Sequence, residues 1–414
     1  MNKISPGLFL VAMCLGWAAQ AAHAEHGASS APVRPSSQER EKIWKATLAK
    51  PSLAVTAVFD GKGRLWRASA RDGHVLVSRS DDGGKSYGQP VKVNPEPENI
   101  AADGENRPKI VARKGVVYIS YTQSLEKPMT GHIRFSRSLD GGKTFSRPIT
   151  VNDNLEVIGH RFEAMEVNSR GQIFLAWLDK RDLSAAEKKG EKYTGVGVYY
   201  AVSDDGGANF HPNVKAADHS CECCRVAMAM DADGKPVIVW RHVFGKNTRD
   251  HALVKLGASA APVRVSFDDW QVDACPHHGP AISIARDGVY HLVWFNNAPA
   301  RHGLFYAQSS DGGKTISSPM PFGNYEAQAG RPYVLSLGEK VFVAWKEFTG
   351  EASGIFLIAS ADGGKSWAAP RKIAVTFGAS DYPLLIEGSG KAYLSWNTAE
   401  EGYRLIEVAA VVGR

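Results

Sequence analysis

The octapeptide SLDGGKTF at residues 138–145 decides the fold, because the same phrase occurs five times in the chain. The other copies are SDDGGKSY at 80–87, SDDGGANF at 203–210, SSDGGKTI at 309–316 and SADGGKSW at 360–367. Its aspartate can accept hydrogen bonds from backbone N–H groups of its own turn, and Gly-Gly supplies positive φ angles. Each copy therefore predicts a turn between two strands. A phrase repeated at roughly regular intervals indicates a repeat architecture.

Each copy lies in a larger unit of four apolar runs, and the second run of each unit ends in an aromatic residue. Seven such runs align, at residues 65–66, 117–121, 173–177, 237–240, 290–294, 341–345 and 392–396. Short strands with Gly-rich turns indicate an all-β fold of the β-propeller type. We predict seven four-stranded antiparallel blades, with six blades as the alternative.

Two units depart from the pattern. The fourth unit has no copy of the phrase, and Asp268-Asp269-Trp270 stands about where the phrase is expected. The last unit ends after its third strand, near Val411, so the run at 43–48 is the candidate for its outer strand. The prediction is a ring in which a strand from before the first blade completes the last one.

The repeated phrase resembles the Asp box of the sialidase (neuraminidase) superfamily, the BNR-repeat proteins, and the resemblance covers nearly the whole chain after residue 24. In that family the box is a structural turn far from the active site. The resemblance therefore implies the propeller fold and leaves the reaction open.

The N-terminal region predicts export. Lys3 precedes an apolar stretch at 7–22, and Ala22-His23-Ala24 fits the small-x-small pattern of signal-peptidase cleavage. We expect a signal peptide at 1–24 that is cleaved after Ala24, a mobile leader at 25–42 and one propeller domain at 43–414. The expected location is periplasmic or secreted.

Composition excludes two classes of partner. The chain has 49 Lys plus Arg against 43 Asp plus Glu, and the small excess is spread along the chain without the basic stripe that grips nucleic acid. No run after the signal peptide is long enough to span a bilayer. The expected partners are a small anionic ligand or sugar, or a metal ion, and no protein partner is indicated.

Blade geometry gathers one set of residues at one face. The boxes occupy the turns between the third and fourth strands, so the starts of the first strands lie at the opposite face, at the mouth of the central channel. The residues at these starts are Arg107, Arg161, Arg225, His278, Arg331 and Tyr382. A ring of arginines there would bind an anion, especially a carboxylate. The alternative is that each arginine pairs with an acidic neighbour between blades.

The sialidase resemblance implies a catalytic set. That family uses three arginines for the substrate carboxylate, a Tyr nucleophile paired with a Glu, and an Asp acid/base. Arg107 in NRPKI is similar to the family's Arg-Ile-Pro segment with an altered order, and Arg331 in GRP and Tyr382 resemble the later Arg and the Tyr. By position, Asp103 would be the acid, and Glu163 or Glu347 the partner of Tyr382.

The cysteines are the second strong signal. Cys14 leaves with the signal peptide, and the remaining four are Cys221, Cys223 and Cys224 in HSCECCR and Cys275 in DACPHH, at the starts of two neighbouring blades. Residues two apart in an extended segment face the same way, so Cys221 and Cys223 could bind one ion.

Cys275 and His277 could complete this site, with His219, His242 and His278 gathered at the same place. Thiolates with imidazoles suit Cu(I) or Zn(II), and a thiolate-rich set favours Cu(I). The alternative is two structural disulfides in an oxidising compartment.

The pair CECCR and CPHHGP also resembles a subgroup of secreted bacterial sialidase-like proteins. The prediction is a propeller whose channel mouth binds a soft metal, copper in preference to zinc, or performs thiol redox chemistry. Hydrolysis of sialosides is the alternative function.

Overall fold

The computed structural model describes residues 52–258 and 261–408, which form seven antiparallel sheets in sequence order. The first four sheets each have four strands. Blade one contains β1 (Val55–Phe59), β2 (Leu65–Arg71), β3 (His74–Ser80) and β4 (Val91–Lys92); blade two contains β5 (Lys109–Arg113), β6 (Val116–Ser124), β7 (Gly131–Ser138) and β8 (Ile149–Thr150); blade three contains β9 (His160–Val167), β10 (Ile173–Asp179), β11 (Val196–Ser203) and β12 (Val214–Ser220); blade four contains β13 (Ala227–Met230), β14 (Pro236–Arg241), β15 (His251–Lys255) and β16 (Val263–Arg264).

The remaining sheets follow the same order of strands. Blade five contains β17 (Ala281–Ile284), β18 (Tyr290–Ala298), β19 (Arg301–Ser309) and β20 (Met320–Phe322); blade six contains β21 (Gly330–Leu337), β22 (Lys340–Phe348), β23 (Ser353–Ser360) and β24 (Arg371–Thr376); blade seven contains β25 (Leu384–Gly388), β26 (Lys391–Thr398) and β27 (Gly402–Glu407). Between strands lie one helix, α1 (Arg181–Lys189), and a 3-10 turn at Tyr325–Ala327.

The blades form a closed ring. Each first strand contacts the first strand of the next blade, from β1 through β5, β9, β13, β17 and β21 to β25, and β25 contacts β1. The prediction of a seven-bladed propeller is confirmed, and the six-bladed alternative is excluded. The predicted signal peptide, the leader and the closing strand at 43–48 lie outside the described residues. Within the described part of the chain, no helix has the length and apolarity needed to cross a membrane.

The hydrophobic cores lie between blades. Each of six apolar clusters combines side chains from two neighbouring blades, such as Trp66 of blade one with Tyr121 of blade two, and Leu178 of blade three with Trp240 of blade four. The second strands of blades three to seven each bury a tryptophan almost completely. Truncating a buried residue of this size costs about 3–5 kcal/mol in general. The ring is therefore stable only as a whole, since each blade completes the core of its neighbours.

The five Asp boxes are the predicted turns between third and fourth strands. In each box the serine hydroxyl donates to the aspartate at 2.7–2.8 Å, and the same carboxylate accepts a backbone N–H four residues after itself at 2.9–3.0 Å. Both glycines of every box have positive φ. A Cβ on Gly142 would lie 2.4 Å from the Trp66 ring, and one on Gly364 would lie 2.0 Å from Tyr306 Oη. The second glycine therefore lets the turn pack onto the preceding blade.

The prediction for blade four was wrong in one detail. Asp268 and Asp269 follow the fourth strand, β16, whereas a box would lie between β15 and β16. Asp268 instead accepts the indole N–H of Trp294 in blade five at 2.7 Å and contacts Arg301. The segment joins two blades and has no role as a turn within blade four.

Candidate functional site

The channel mouth is the face at which the first strands begin. There the loop at 103–107, which leads into blade two, extends across the mouth and contacts other blades. We call this loop the crossing loop. Asp103 Oδ1 accepts the backbone N–H groups of Glu105 and Asn106 at 2.9 and 2.8 Å, which shapes a tight turn. A Cβ on Gly104 would lie 2.1 Å from the Tyr382 ring, so only glycine allows the loop to pack on that tyrosine. The crossing loop thereby reaches blade seven.

Glu105 is the centre of the channel mouth, and its side chain is 3% exposed. Its carboxylate accepts four N–H groups: Arg225 Nη1 at 2.8 Å, Arg331 Nη1 at 3.2 Å, Gly279 N at 3.0 Å and Arg225 N at 3.3 Å. These donors come from the starts of blades four, five and six. An internal carboxylate thus occupies two of the arginines that the sequence predicted to bind an anion.

Arg107 is buried and forms a bidentate pair with Asp381 of blade seven. Its Nη1 and Nη2 donate to Asp381 Oδ2 and Oδ1 at 2.8 and 2.7 Å, and Nη1 also donates to the carbonyl of Val55 at 3.1 Å. Burial raises the pKa of Asp381, whereas Arg107 opposes the rise. Arg107 therefore fits the alternative stated from the sequence, in which a channel arginine pairs with an acidic residue of another blade.

Arg331 and Tyr382 lie together, with the guanidinium carbon of Arg331 4.2 Å from the centre of the Tyr382 ring. Burial raises the pKa of Tyr382, and Arg331 opposes this effect. Of the acidic residues proposed as its partner, Glu163 accepts the hydroxyl of Thr122 at 2.8 Å and Glu347 accepts the indole N–H of Trp345 at 2.7 Å. The carboxylate that the structure brings to Arg331 and Tyr382 is therefore that of Glu105.

Glu163 belongs to a buried group on the channel side of blades two and three. Burial raises the pKa of Glu163, and its Oε1 has no hydrogen-bond partner among the described residues. The nearby Lys109 has a pKa that burial lowers to about 8. Asp103 is mostly exposed, and its Oδ2 lies 3.9 Å from Arg161 Nη2. Acidic and basic side chains therefore lie near one another on the channel side of the first strands.

Three of the four cysteines form a compact group. Cys221, Cys223 and Cys224 are completely buried, their sulfur atoms all lie within 4.8 Å of one another, and the Sγ atoms of Cys221 and Cys223 are 3.7 Å apart. Cys275 packs against this group and contacts Cys223. All four cysteines are free thiols in the structure, which contains neither of the two disulfides of the alternative interpretation.

The pKa values of the four thiols differ because of hydrogen bonds, burial and neighbouring charges. Hydrogen bonds from Cys223 and Cys224 lower the pKa of Cys221 well below its ordinary value, and Arg249, whose Nη1 donates to Cys221 Sγ at 3.1 Å, lowers it further. Burial raises the pKa of Cys223 and of Cys224. A hydrogen bond with Cys223 lowers the pKa of Cys275. Within the cluster, Cys221 and Cys275 are therefore shifted towards greater acidity, and Cys223 and Cys224 towards lower acidity.

The predicted histidines lie around the thiols without joining the compact group. Among the described residues, the group of three or more His, Cys, Asp or Glu side chains whose ligand atoms all lie within 4.8 Å of one another contains the three cysteines and no histidine. His219 Nδ1–H donates to the carbonyl oxygen of Thr194 at 2.9 Å, and the ring centre of His219 lies 6.3 Å from that of His242. His278 stacks on Phe295 at 4.1 Å, and His277 has a backbone φ of 52°. The contacts of His219 and His278 are thus with a backbone carbonyl and an aromatic ring.

Sequence reasoning missed Glu105, Arg249 and Asp381. Glu105 precedes Arg107 by two residues, but its partners are 120 to 226 residues away in the chain. Arg249 lies in the loop after β14, with no motif around it. The one available signal was the run Glu105-Asn106-Arg107, where a carboxylate stands beside a channel arginine.

Comparison with known proteins supports the fold. No protein-family model matches the sequence, and no curated protein sequence matches it significantly. Among solved structures, the BP39L lectin from Burkholderia pseudomallei has a TM-score of 0.55 at 12% identity, covering 86% of this chain and 98% of that one. An ulvan lyase of polysaccharide lyase family PL25 has a TM-score of 0.54 at 9% identity, covering 85% and 91%.

A Hadza microbial sialidase also matches, with a TM-score of 0.49 at 15% identity, covering 84% of this chain and 74% of that one. At such identities the likeness extends to the fold alone. The chain therefore shares a propeller architecture with proteins that bind or cleave sugars.

Proposed function

We propose that this propeller binds one soft metal ion, Cu(I), through Cys221, Cys223, Cys224 and Cys275 at the channel mouth. The observation that carries the proposal is the buried group of three sulfur atoms within 4.8 Å of one another. Thiolate ligands favour Cu(I) among the metals that proteins commonly bind, and Zn(II) is the main competitor.

The spacing of two of the sulfurs already matches that of ligands bound to one ion. Sulfurs bound to one ion at about 2.3 Å lie about 3.8 Å apart in a tetrahedral site and about 4.0 Å apart in a trigonal one. Cys221 and Cys223 are already 3.7 Å apart. The sulfur of Cys224 lies within 4.8 Å of both, so a small inward movement of this third sulfur would complete a trigonal Cu(I) site, and Cys275 would extend the set to four.

The surrounding charges also support the proposal. A Cu(I) ion with three thiolates carries a net charge of −2, which is costly to bury without compensation. Arg249 bonds Cys221, Arg241 acts on Cys224, and Arg161 is influenced by Cys223. Three guanidinium groups from different segments therefore surround the sulfur cluster. In an exported protein, a bound metal would also keep these thiols from oxidising to disulfides.

The test is anaerobic titration of the reduced protein with Cu(I) against a competing chelator. We expect about one Cu(I) per chain. Cys221→Ser with Cys223→Ser should abolish uptake while the far-UV circular dichroism of the propeller is retained. Met228→Leu is the matched control, because Met228 packs against the same cluster but lies outside the thiol set, and the substitution nearly preserves volume.

Three other outcomes are informative. Tighter binding of Zn(II) than of Cu(I) would replace copper by zinc in the same site. Two intact disulfides in the isolated protein, with no metal uptake after reduction, would mean that the cysteines are structural and would end the metal proposal. Reversible two-electron oxidation without metal uptake would instead support the thiol redox alternative.

A second candidate function is sialoside hydrolysis at the same channel mouth. The observation in its favour is that Arg331 and Tyr382 lie side by side, as an arginine for the substrate carboxylate and a tyrosine nucleophile would. Binding would require a substrate carboxylate to displace Glu105 from Arg225 and Arg331. A fluorogenic sialoside tests it: turnover that Tyr382→Phe reduces by orders of magnitude would support hydrolysis, and no turnover above a blank would exclude it.

A further inference from the structure

We propose that Glu105 is the positioning residue of the thiol site, because its carboxylate clamps the two cysteine-bearing loops together. This inference rests on the proposed metal-binding function and adds a residue from a distant blade to it. The residue lies in the crossing loop of blade two, whereas the cysteines precede blades four and five.

The contacts of Glu105 are made to both loops at once. Its Oε2 accepts the backbone N–H of Arg225, the residue after Cys224, at 3.3 Å, and the backbone N–H of Gly279, four residues after Cys275, at 3.0 Å. Its Oε1 accepts the guanidinium of Arg225 at 2.8 Å. One carboxylate therefore sets the distance between the segment that carries three thiols and the segment that carries the fourth.

The packing leaves little freedom for this arrangement. A Cβ on Gly279 would lie 2.3 Å from Arg225 Cγ and 2.7 Å from Glu105 Oε2, so the two loops meet at van der Waals contact only because residue 279 is glycine. Arg331 holds the other side of the carboxylate, with Nη1 3.2 Å from Oε1. All four groups that face Glu105 are donors, so a neutral amide or an apolar group cannot replace the carboxylate.

Outer residues that orient metal ligands change metal affinity by about 10–100-fold when they are removed. We expect Glu105→Ala to weaken Cu(I) binding by about that factor, and to leave Cys275 open to alkylation in the copper-loaded protein. Acetate or formate should restore both properties, since a small carboxylate can enter the cradle formed by Arg225, Arg331 and Gly279 N. Rescue by a carboxylate distinguishes positioning from a general loss of stability.

Glu98→Ala is the matched control. Glu98 is also a partly buried carboxylate of blade two, but it accepts from Tyr121 Oη and Arg134 of its own blade. Copper affinity, Cys275 alkylation and the response to acetate should all equal those of the wild type.

A metal-free measurement separates this inference from the proposed function. Brief oxidation of reduced protein with diamide, followed by peptide mass spectrometry, reports which cysteines are close enough to form a disulfide. We expect a Cys223–Cys275 link in the wild type, its loss in Glu105→Ala and its return with acetate. That result supports the clamp even if the wild type takes up no copper, in which case only the metal proposal fails. Equal links and equal copper affinity in Glu105→Ala and wild type would overturn the clamp.

Discussion

His242 shows how burial decides the protonation of single side chains near the thiols. Burial, together with the neighbouring His219, lowers the pKa of His242 to about 4. The ring lies between aromatic side chains, with its centre 4.3 Å from that of Phe244 and 6.0 Å from that of Trp240, and its Nδ1 has no hydrogen-bond partner in the described part of the chain. The imidazole is therefore neutral in the folded protein at physiological pH.

This burial predicts an acid-dependent loss of stability. The unfolded chain takes up a proton at His242 near its ordinary pKa of about 6.5, whereas the folded protein takes it up only near pH 4, so stability falls as pH drops between these values. We expect His242→Asn to lose less stability than the wild type between pH 7.5 and 5, with a difference on the order of 1 kcal/mol.

Urea unfolding at the two pH values measures this difference. His302→Asn, which removes an exposed histidine, is the control and should lose as much stability as the wild type. Equal losses in His242→Asn and wild type would show that folding does not lower the pKa of His242.

Each Asp box acts as a joint between blades as well as a turn. The aspartate accepts hydrogen bonds from the backbone of its own turn. The second glycine lets the turn pack against an apolar side chain of the preceding blade, as Gly142 does with Trp66 and Gly313 with Leu253. Hydrogen bonds from the backbone and side chain of Thr315 hold the pKa of Asp311 at about 2. The ionised carboxylate therefore contributes to the stability of the folded state.

Asp311→Asn should lower the melting temperature at pH 7, because the amide cannot accept from both the Thr315 hydroxyl and the backbone of the turn. The folded pKa is depressed, so this contribution is present above the unfolded value near 3.8 and is lost as pH falls toward 2. The difference between variant and wild type should therefore be smaller at pH 2.5 than at pH 7. Differential scanning calorimetry at both values checks it.

Asp72→Asn serves as the comparison for this experiment. Asp72 is exposed and has a positive φ of 52°, a conformation that asparagine also tolerates. We expect no change in its melting temperature at either pH. A loss in Asp311→Asn that stays constant with pH would contradict a role for the ionised carboxylate.

The turns and strands were predictable because their signals are local. A box needs serine, aspartate and two glycines within five residues, and the buried tryptophans mark the second strands. The misplacement of Asp268 has the same cause, because an Asp-Asp-Trp phrase resembles a box locally while its true partner, Trp294, belongs to the next blade.

In the whole molecule, four consecutive residues of the crossing loop connect blade two to the other six blades. Gly104 packs on Tyr382 of blade seven, and Glu105 bonds the starts of blades four, five and six. Asn106 accepts the backbone N–H of Phe162 in blade three at 3.2 Å, and Arg107 donates to Val55 of blade one. Contacts of this one loop therefore join all seven blades at the channel mouth.

The site was predictable only in part for the same reason. Cysteines at the starts of two neighbouring blades must meet in a ring, so the thiol cluster follows from the repeat. The partners of the arginines lie up to 274 residues away, and only the folded ring selects Glu105 and Asp381 among the acidic residues of the chain. The histidines lie at the predicted loops, but their side chains turn to aromatic and backbone groups.

The pair of Arg107 and Asp381 decides whether this channel mouth is a structural joint or an open anion site. Both side chains are buried, so removing the guanidinium leaves an uncompensated carboxylate, which costs about 3–5 kcal/mol in general. We expect Arg107→Met to lower the free energy of unfolding by that amount, and Arg107→Met with Asp381→Asn to recover part of it. Urea unfolding of the single and double variants gives the coupling between the two residues.

Lys391→Met provides the scale for this cycle, because Lys391 forms an exposed pair with Glu407 in blade seven, and exposed pairs contribute little to stability. A cost in Arg107→Met no larger than that of Lys391→Met would mean that Arg107 does not depend on Asp381 and is available to a ligand carboxylate. A large cost with strong coupling would mean that Arg107 is committed to joining blades two and seven. The anion capacity of the channel mouth would then rest on Arg225 and Arg331, and any ligand carboxylate would compete there with Glu105.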